Sequence, residues 1–373
     1  MGLKIYSAVN VFDAALARIR FLFAEFPNIV VGFSGGKDST VVFNLALIVA
    51  RELGRLPLKV MFLDQEAEWQ ATIDQVRLVM EHPDVEPLWV QVPIKLFNAT
   101  STVEHWLMCW NPEDEHRWMR PRETYSLHEN VYGTDRFGEM FAAILAHHYP
   151  DTPTCYLAGV RTEESPTRFV GLTHFPTYKG RTWGKVLNKR RGHYTMYPVY
   201  DWGYSDVWCA IHQNKWEYNS IYDAQYSYGV KLKDMRVSNV HHETAVHALF
   251  YMQEVEPETY QKLTQRISGI DMAGKMGTDD YFVDKLPFMF ANWREYRDFL
   301  LEKMIENPVW KENFRKEFAR LDVIYTALKE ETLCKVQISS ILTNDWEMIK
   351  LANFERRPAI YVLRKQHLGK AAW

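Results

Sequence analysis

Six consecutive residues, Ser34-Gly35-Gly36-Lys37-Asp38-Ser39, have the types and order that a phosphate group requires. They lie between an apolar run, Ile29-Val30-Val31-Gly32-Phe33, and a helical pattern that begins near Asp38. The paired glycines let the chain turn tightly and bring backbone N–H groups against an anion. The first turn of the helix adds unpaired N–H donors and the positive end of its dipole. Ser34, Ser39 and Thr40 supply hydroxyls, Lys37 a point charge, and Asp38 a carboxylate suited to a divalent cation such as Mg²⁺. The chemistry is capture of a phosphate chain. It is not a Walker A loop, which needs glycine where Val31 stands and Ser or Thr where Asp38 stands.

A second cluster is basic. Residues 179–194 hold Lys179, Arg181, Lys185, Lys189, Arg190 and Arg191 with no acid, interleaved with Trp183, His193 and Tyr194. Such a stretch can track a nucleic-acid backbone, close over a bound nucleotide, or stand solvated. The histidines do not make a metal site. His242 and His247 are five residues apart, which sets them about 140° apart on a helix, too far round to grip one ion. The four cysteines, Cys109, Cys155, Cys209 and Cys334, form no CxxC pair, which argues against a disulfide framework or a cysteine metal site.

The elements that must carry these groups follow from periodicity. Phe12, Leu16, Ile19, Phe23 and Phe26 mark one face of a helix, stopped by Pro27-Asn28. Strand Ile29–Phe33, helix Asp38–Leu53, strand Lys59–Leu63 running into Asp64, helix Trp69–Glu81 and strand Leu88–Val92 come next. After a polar, aromatic stretch the alternation resumes with helix Gly138–His148, strands Cys155–Val160 and Met196–Val199, and a helix capped by Ser205. Continuous apolar strands alternating with helices predict an α/β fold: a doubly wound, mostly parallel five-stranded sheet. Beyond about Arg236 helical stripes dominate, so the expected division is 1–235 for the α/β domain and 236–373 for a helical C-terminal region.

Composition bounds the rest. The 373 residues are 47% hydrophobic and 24% charged, which excludes a disordered chain. With 44 Lys+Arg against 47 Asp+Glu the net charge is −3, so the surface as a whole is no basic nucleic-acid binder. No apolar run is long enough to span a membrane, and the first residues lack a secretory pattern; the expected location is the cytoplasm.

The Ser34–Ser39 loop resembles the SGGKDS loop of the adenine-nucleotide α-hydrolase group, which includes N-type ATP pyrophosphatases and phosphoadenosine phosphosulfate (PAPS) reductases. Gly159-Val160-Arg161-Thr162-Glu163-Glu164-Ser165 with Arg168 is similar to a second segment of that group. Tyr197-Pro198-Val199, Asp201-Trp202 and Asp206-Val207-Trp208 resemble a third, and Asn219-Ser220-Ile221-Tyr222-Asp223 with Tyr226 a fourth. Their order suits the PAPS-reductase-like branch over roughly residues 25–235. One departure stands out: the reductases' C-terminal cysteine motif is missing, since Cys334 lies in Thr332-Leu333-Cys334-Lys335 and His367-Leu368-Gly369 has no preceding cysteine. Thiol attack on a sulfonucleotide needs a positioned thiolate, so classical PAPS reduction is not expected.

The resemblance implies a HUP-type fold that binds ATP or a related adenine nucleotide with Mg²⁺. Ser34, Gly35, Gly36, Lys37, Asp38 and Ser39 would hold the phosphates, with Asp64 near the adenosine. Lys37, Arg161 and Arg168 would be catalytic, and Asp38 would hold the metal. The expected reaction is ATP-pyrophosphatase-type transfer of AMP to an acceptor. Two alternatives are sulfur transfer with a partner's thiol and a nucleotide-sensing module. Met235-Arg236-Val237-Ser238 and Val255-Glu256-Pro257-Glu258-Thr259 resemble a subgroup often encoded beside a ParB-like protein, which makes such a DNA-associated partner an expectation. Because Lys185, Lys189, Arg190 and Arg191 fall between two nucleotide-site segments, a lid is favoured over nucleic-acid contact.

Overall fold

The computed structural model describes residues 7–101, 104–237, 239, 241, 248–271 and 284–368. These fall into two compact units: Met1–Leu96 with Met108–Val237, and Phe97–Leu107 with Ser238–Trp373.

The first unit is built on a six-stranded sheet. Strands β1 (Asn28–Gly32), β2 (Leu58–Leu63) and β3 (Val85–Val90) are followed by a separate pair, β4 (Ile94–Phe97) and β5 (Trp106–Cys109). Strands β6 (Thr154–Leu157), β7 (Gly184–Asn188) and β8 (His193–Met196) complete the main sheet, whose order is β3-β2-β1-β6-β8-β7. Every pairing is parallel except β7 with β8. The five parallel strands are those the periodicity predicts. The sixth is an antiparallel edge strand cut from the basic segment.

Each residue of β1 is buried, as its apolar run requires for a strand covered on both faces. Helix α1 (Val11–Glu25) is capped by Asn10, whose side chain accepts from Asp13 N at 2.8 Å, and it buries Ala15, Leu16, Ile19, Leu22 and Phe23. It packs beside α2 (Lys37–Glu52), and α3 (Gln70–Met80) lies against β3. Helix α4 is Phe137–His148, α5 Pro166–Thr173, α6 Tyr204–Asn214 and α7 Ile221–Tyr228. The cap of α6 is Gly203 rather than Ser205: Asp206 reaches back to accept from Gly203 N at 2.7 Å, so the helix starts two residues earlier.

The topology decides where a ligand can sit. From β1 the chain moves through β2 to β3, then returns to the other side of β1 as β6. The connections leaving β1 and β6 therefore diverge, and a crevice opens beyond their C-terminal ends. Ser34–Ser39 follows β1 there, and Gly159–Arg161 follows β6.

The second unit is helical: Leu249–Val255, Pro257–Arg266, Trp293–Met304, Pro308–Ile324, Glu330–Leu342, Ile349–Glu355 and Pro358–Leu368. The aromatic stripes become its core, with Tyr296, Phe314, Phe318, Tyr325, Trp346 and Phe354 buried together. No helix among the described residues is long and apolar enough to cross a membrane.

Candidate functional site

The loop between β1 and α2 is shaped by contacts that only glycine permits. Gly35 has φ +68°, and a Cβ on it would stand 2.7 Å from Thr72 Cγ2. Asn219 fastens the turn, donating to Gly35 O at 3.0 Å and to Thr72 Oγ1 at 2.9 Å. Gly159, from the β6 side, approaches so closely that a Cβ would lie 2.7 Å from the Asp38 carbonyl carbon. Inside the loop, Ser39 Oγ donates to Gly36 O at 2.9 Å and accepts from Ser34 N at 3.2 Å, and Thr40 Oγ1 donates to Gly36 O at 3.0 Å.

Charges converge on Asp38. Arg161 Nε donates to its Oδ1 at 2.5 Å, and Lys37 Nζ lies 3.5 Å from its Oδ2. Arg161 is buried, at 4% exposure, and its Nη1 also pairs with Glu163 at 3.0 Å. It is a buried tie between two loops, not a surface ion pair. Arg168, in the first turn of α5, pairs with Glu164 and is more exposed. Burial lowers the Arg168 pKa from its ordinary value, and the neighbouring charges include Tyr197, Asp38, Arg161 and Arg236. Burial likewise lowers the Lys37 pKa; Asp38 opposes this, while Arg161 and Arg236 add to it. Three expected cations, Lys37, Arg161 and Arg168, thus share one electrostatic site.

Two contributors were not assigned roles by sequence reasoning. Tyr222 OH accepts from Lys37 N at 3.0 Å, and the Lys37 ammonium stands 5.3 Å from the centre of its ring. Residues 235–237 lie across the loop: Lys37 Nζ donates to Met235 O at 3.2 Å, and a Cβ on Gly36 would stand 3.1 Å from Val237 Cγ2. Tyr222 and Met235–Val237 were visible only as pieces of motif, with no periodicity to point them at the loop.

The Asp64 carboxylate, expected near the adenosine, is committed to partners inside the protein. Fully buried, it accepts from Arg120 Nη2 at 2.6 Å through both oxygens, from Trp89 Nε1 at 2.8 Å, Gln91 Nε2 at 2.9 Å and Glu66 N at 2.8 Å. Those donors use up the acceptor capacity of a carboxylate. Asp64 therefore organises the end of β2.

Strand direction separates the four residues expected to form a lid: Lys189, Arg190 and Arg191 fall at the end of the sheet away from the Ser34 loop, whereas Lys185 lies toward the other end. Lys185 is in β7, opposite Thr195, and the other three form the turn before His193. That turn joins the N-terminal end of β8, with Arg191 Nη1 donating to Pro150 O at 2.6 Å. The loop at Ser34 lies beyond the opposite ends of the strands. Arg181 instead lines a recess of about 340 Å³ with Ala17, Arg18, Phe21, Trp183 and Tyr200.

The donor set does not suit a protein-held Mg²⁺. Magnesium asks for near-octahedral oxygen ligation, whereas the Asp38 carboxylate is engaged by Arg161 and flanked by Lys37. Among the described residues no three His, Cys, Asp or Glu are grouped to hold an ion. The His242–His247 segment lies outside the described residues, as does Gly369 of the tail. All four cysteines are free, and burial raises the Cys155 and Cys334 thiols.

A loop of this kind at the switch point of a parallel sheet defines a nucleotide-binding α/β protein, and the comparisons agree. Residues 28–228 match the phosphoadenosine phosphosulfate reductase domain, more than half of the chain, and the chain belongs to that family. Residues 229–365 match a domain of unknown function, DUF3440. An Escherichia coli (strain K12) protein, the uncharacterized protein YbdN, is 28% identical over 331 residues, covering 85% of this chain and 80% of its own. The uncharacterized protein MJ0973 of Methanocaldococcus jannaschii is 26% identical over 285 residues, covering 74% of this chain and 54% of its own. Among solved structures, Candida glabrata FMN adenylyltransferase with FAD and inorganic pyrophosphate has a TM-score of 0.37 at 14% identity, covering 57% of this chain and 58% of that one. A PAPS reductase from Candida auris has a TM-score of 0.33 at 14% identity, covering 64% and 98%. Neither score is high enough to carry an activity across.

Proposed function

We propose that the chain binds ATP in the Ser34–Ser39 loop and transfers AMP to an acceptor. An acceptor oxygen attacks the α-phosphorus, the bond from that phosphorus to the bridging oxygen breaks, and pyrophosphate leaves with the electron pair. A proton on the acceptor oxygen, where there is one, passes to solvent. The observation that carries this reading is the convergence of Lys37, Arg161 and Arg168 at the N-terminus of α2, in the crevice between β1 and β6. Charge gathered there stabilises the extra negative charge of the transition state, which is most of what phosphoryl transfer asks of a protein. No step is routed through a metal. ParB-like and nucleic-acid partners form no part of this reading, since neither the matched families nor these relatives name them.

Sulfonucleotide chemistry is the rival. It is disfavoured because the segments forming the site, residues 34–39, 159–168 and 235–237, contain no cysteine. Calorimetry with ATP, AMP and PAPS, paired with pyrophosphate release from α-labelled ATP in the presence of a small-molecule cell extract, separates them. ATP binding that Lys37→Ala weakens by about 10-fold or more, the size of a lost charged hydrogen bond, together with labelled AMP on an acceptor, is the expected result. Binding of PAPS without ATP overturns it.

A further inference from the structure

Residues Met235–Val237 touch the phosphate loop at two points and helix α7 at a third. Lys37 Nζ donates to Met235 O at 3.2 Å, Gln225 Nε2 donates to Arg236 O at 2.7 Å, and Val237 Cγ2 lies over Gly36. Gln225 is completely buried, so the second tie is anchored in the body of the unit. The backbone of Arg236 is thus held between two contacts to the loop, while its side chain is exposed. Unlike Arg161 and Arg168, Arg236 forms no ion pair among the described residues.

We infer that Met235–Val237 is a strap belonging to the phosphate site, and that Arg236 is its fourth cation, binding the phosphate chain of the nucleotide. This rests on the reading of the site as an ATP site. Lysine has three donors. Met235 O takes one and Asp38 faces a second, which leaves one for a ligand. Arg236 repels both Lys37 and Arg168, and each pKa is lowered in part by it. An arginine fixed beside two like charges without an acid of its own is relieved by an anion bearing several charges, and a nucleotide's phosphate chain is one. The strap lies within the matched domain of unknown function, so the opening residues of that region serve the nucleotide site.

The test uses the full chain with ATP and inorganic pyrophosphate as probes, in wild type, Arg236→Ala, Arg236→Lys and Lys37→Ala. The Arg236→Ala variant should bind ATP about 10- to 100-fold more weakly, as for a lost charge-assisted hydrogen bond, with an unliganded Tm equal to wild type because the side chain is exposed. Arg236→Lys should recover part of the loss, which a purely structural role would not produce. ATP should also shield the Arg236–Val237 bond of wild type from trypsin. If Arg236→Ala binds ATP like wild type while Lys37→Ala does not, the strap proposal is wrong and the ATP site stands. Absent ATP and pyrophosphate binding by wild type removes both.

Discussion

Asp64 and Glu68 lie five residues from the end of the Lys59–Leu63 run or nearer, yet they meet different fates. Asp64 is saturated with donors, whereas Glu68 is buried close to it and has its pKa pushed up to about 8. Burial is the main cause, the Asp64 charge adds to it, and Arg120 opposes it. Unfolded, the Glu68 carboxyl ionises near 4.5; folded, it keeps its proton to about 8. Between those values the folded state binds more protons than the unfolded state, so stability falls as pH rises, by at most ~1.4 kcal/mol per pH unit from this group. Below that window both states are protonated and the effect vanishes. Glu68→Gln should match wild type in Tm near pH 4 and exceed it at pH 8. Parallel Tm–pH curves for the two proteins would show that Glu68 does not titrate in this window.

At the scale of the element, the loop works because β1, α2 and the end of β6 approach closer than side chains normally allow. Gly35→Ala places a Cβ against Thr72 and forces a left-handed residue, costing roughly 1–2 kcal/mol from backbone strain alone. Gly159→Ala presses on the main chain of Asp38, which cannot rotate aside as a side chain can. Both variants should unfold at lower denaturant than wild type. Gly159→Ala should also lose ATP affinity, because the displaced atoms are the first turn of α2. Unchanged stability and binding in Gly159→Ala would mean that the two loops separate freely.

Across the whole molecule, the sheet keeps two charged features apart. Lys37, Arg161 and Arg168 gather beyond the C-terminal ends of β1 and β6, while Lys189, Arg190 and Arg191 stand before the N-terminal end of β8. Four residues of strand put about 13 Å between the ends of β8 itself. Changing those three side chains to alanine together should leave ATP affinity within about two-fold of wild type, as for distant independent sites. A large loss of ATP affinity would return the turn to the nucleotide site. The second unit has its own aromatic core and a buried Arg297 held by Asp322 at 2.9 Å and Gln337 at 2.8 Å.

The amino-acid sequence by itself determined the parallel strands, the helices that separate them and the loop at Ser34–Ser39. These depend on short-range facts: apolar runs, helical periodicity, and glycines beside a lysine at a strand-to-helix turn. Arg161 and Arg168 were legible only through the resemblance of their segment to the adenine-nucleotide α-hydrolase group. Three things were decided by the tertiary structure alone. Asp64 became a structural acceptor because Arg120, Trp89 and Gln91, distant or on another strand, converge on it. The basic segment became an edge hairpin, since strand direction is a property of the assembled sheet and reverses which end a turn occupies. Arg236 came to the loop because Lys37 and Gln225, 199 and 11 residues earlier in the chain, hold the backbone on either side of its Cα. A local pattern records which face a residue prefers; it does not record which distant partner fills that face.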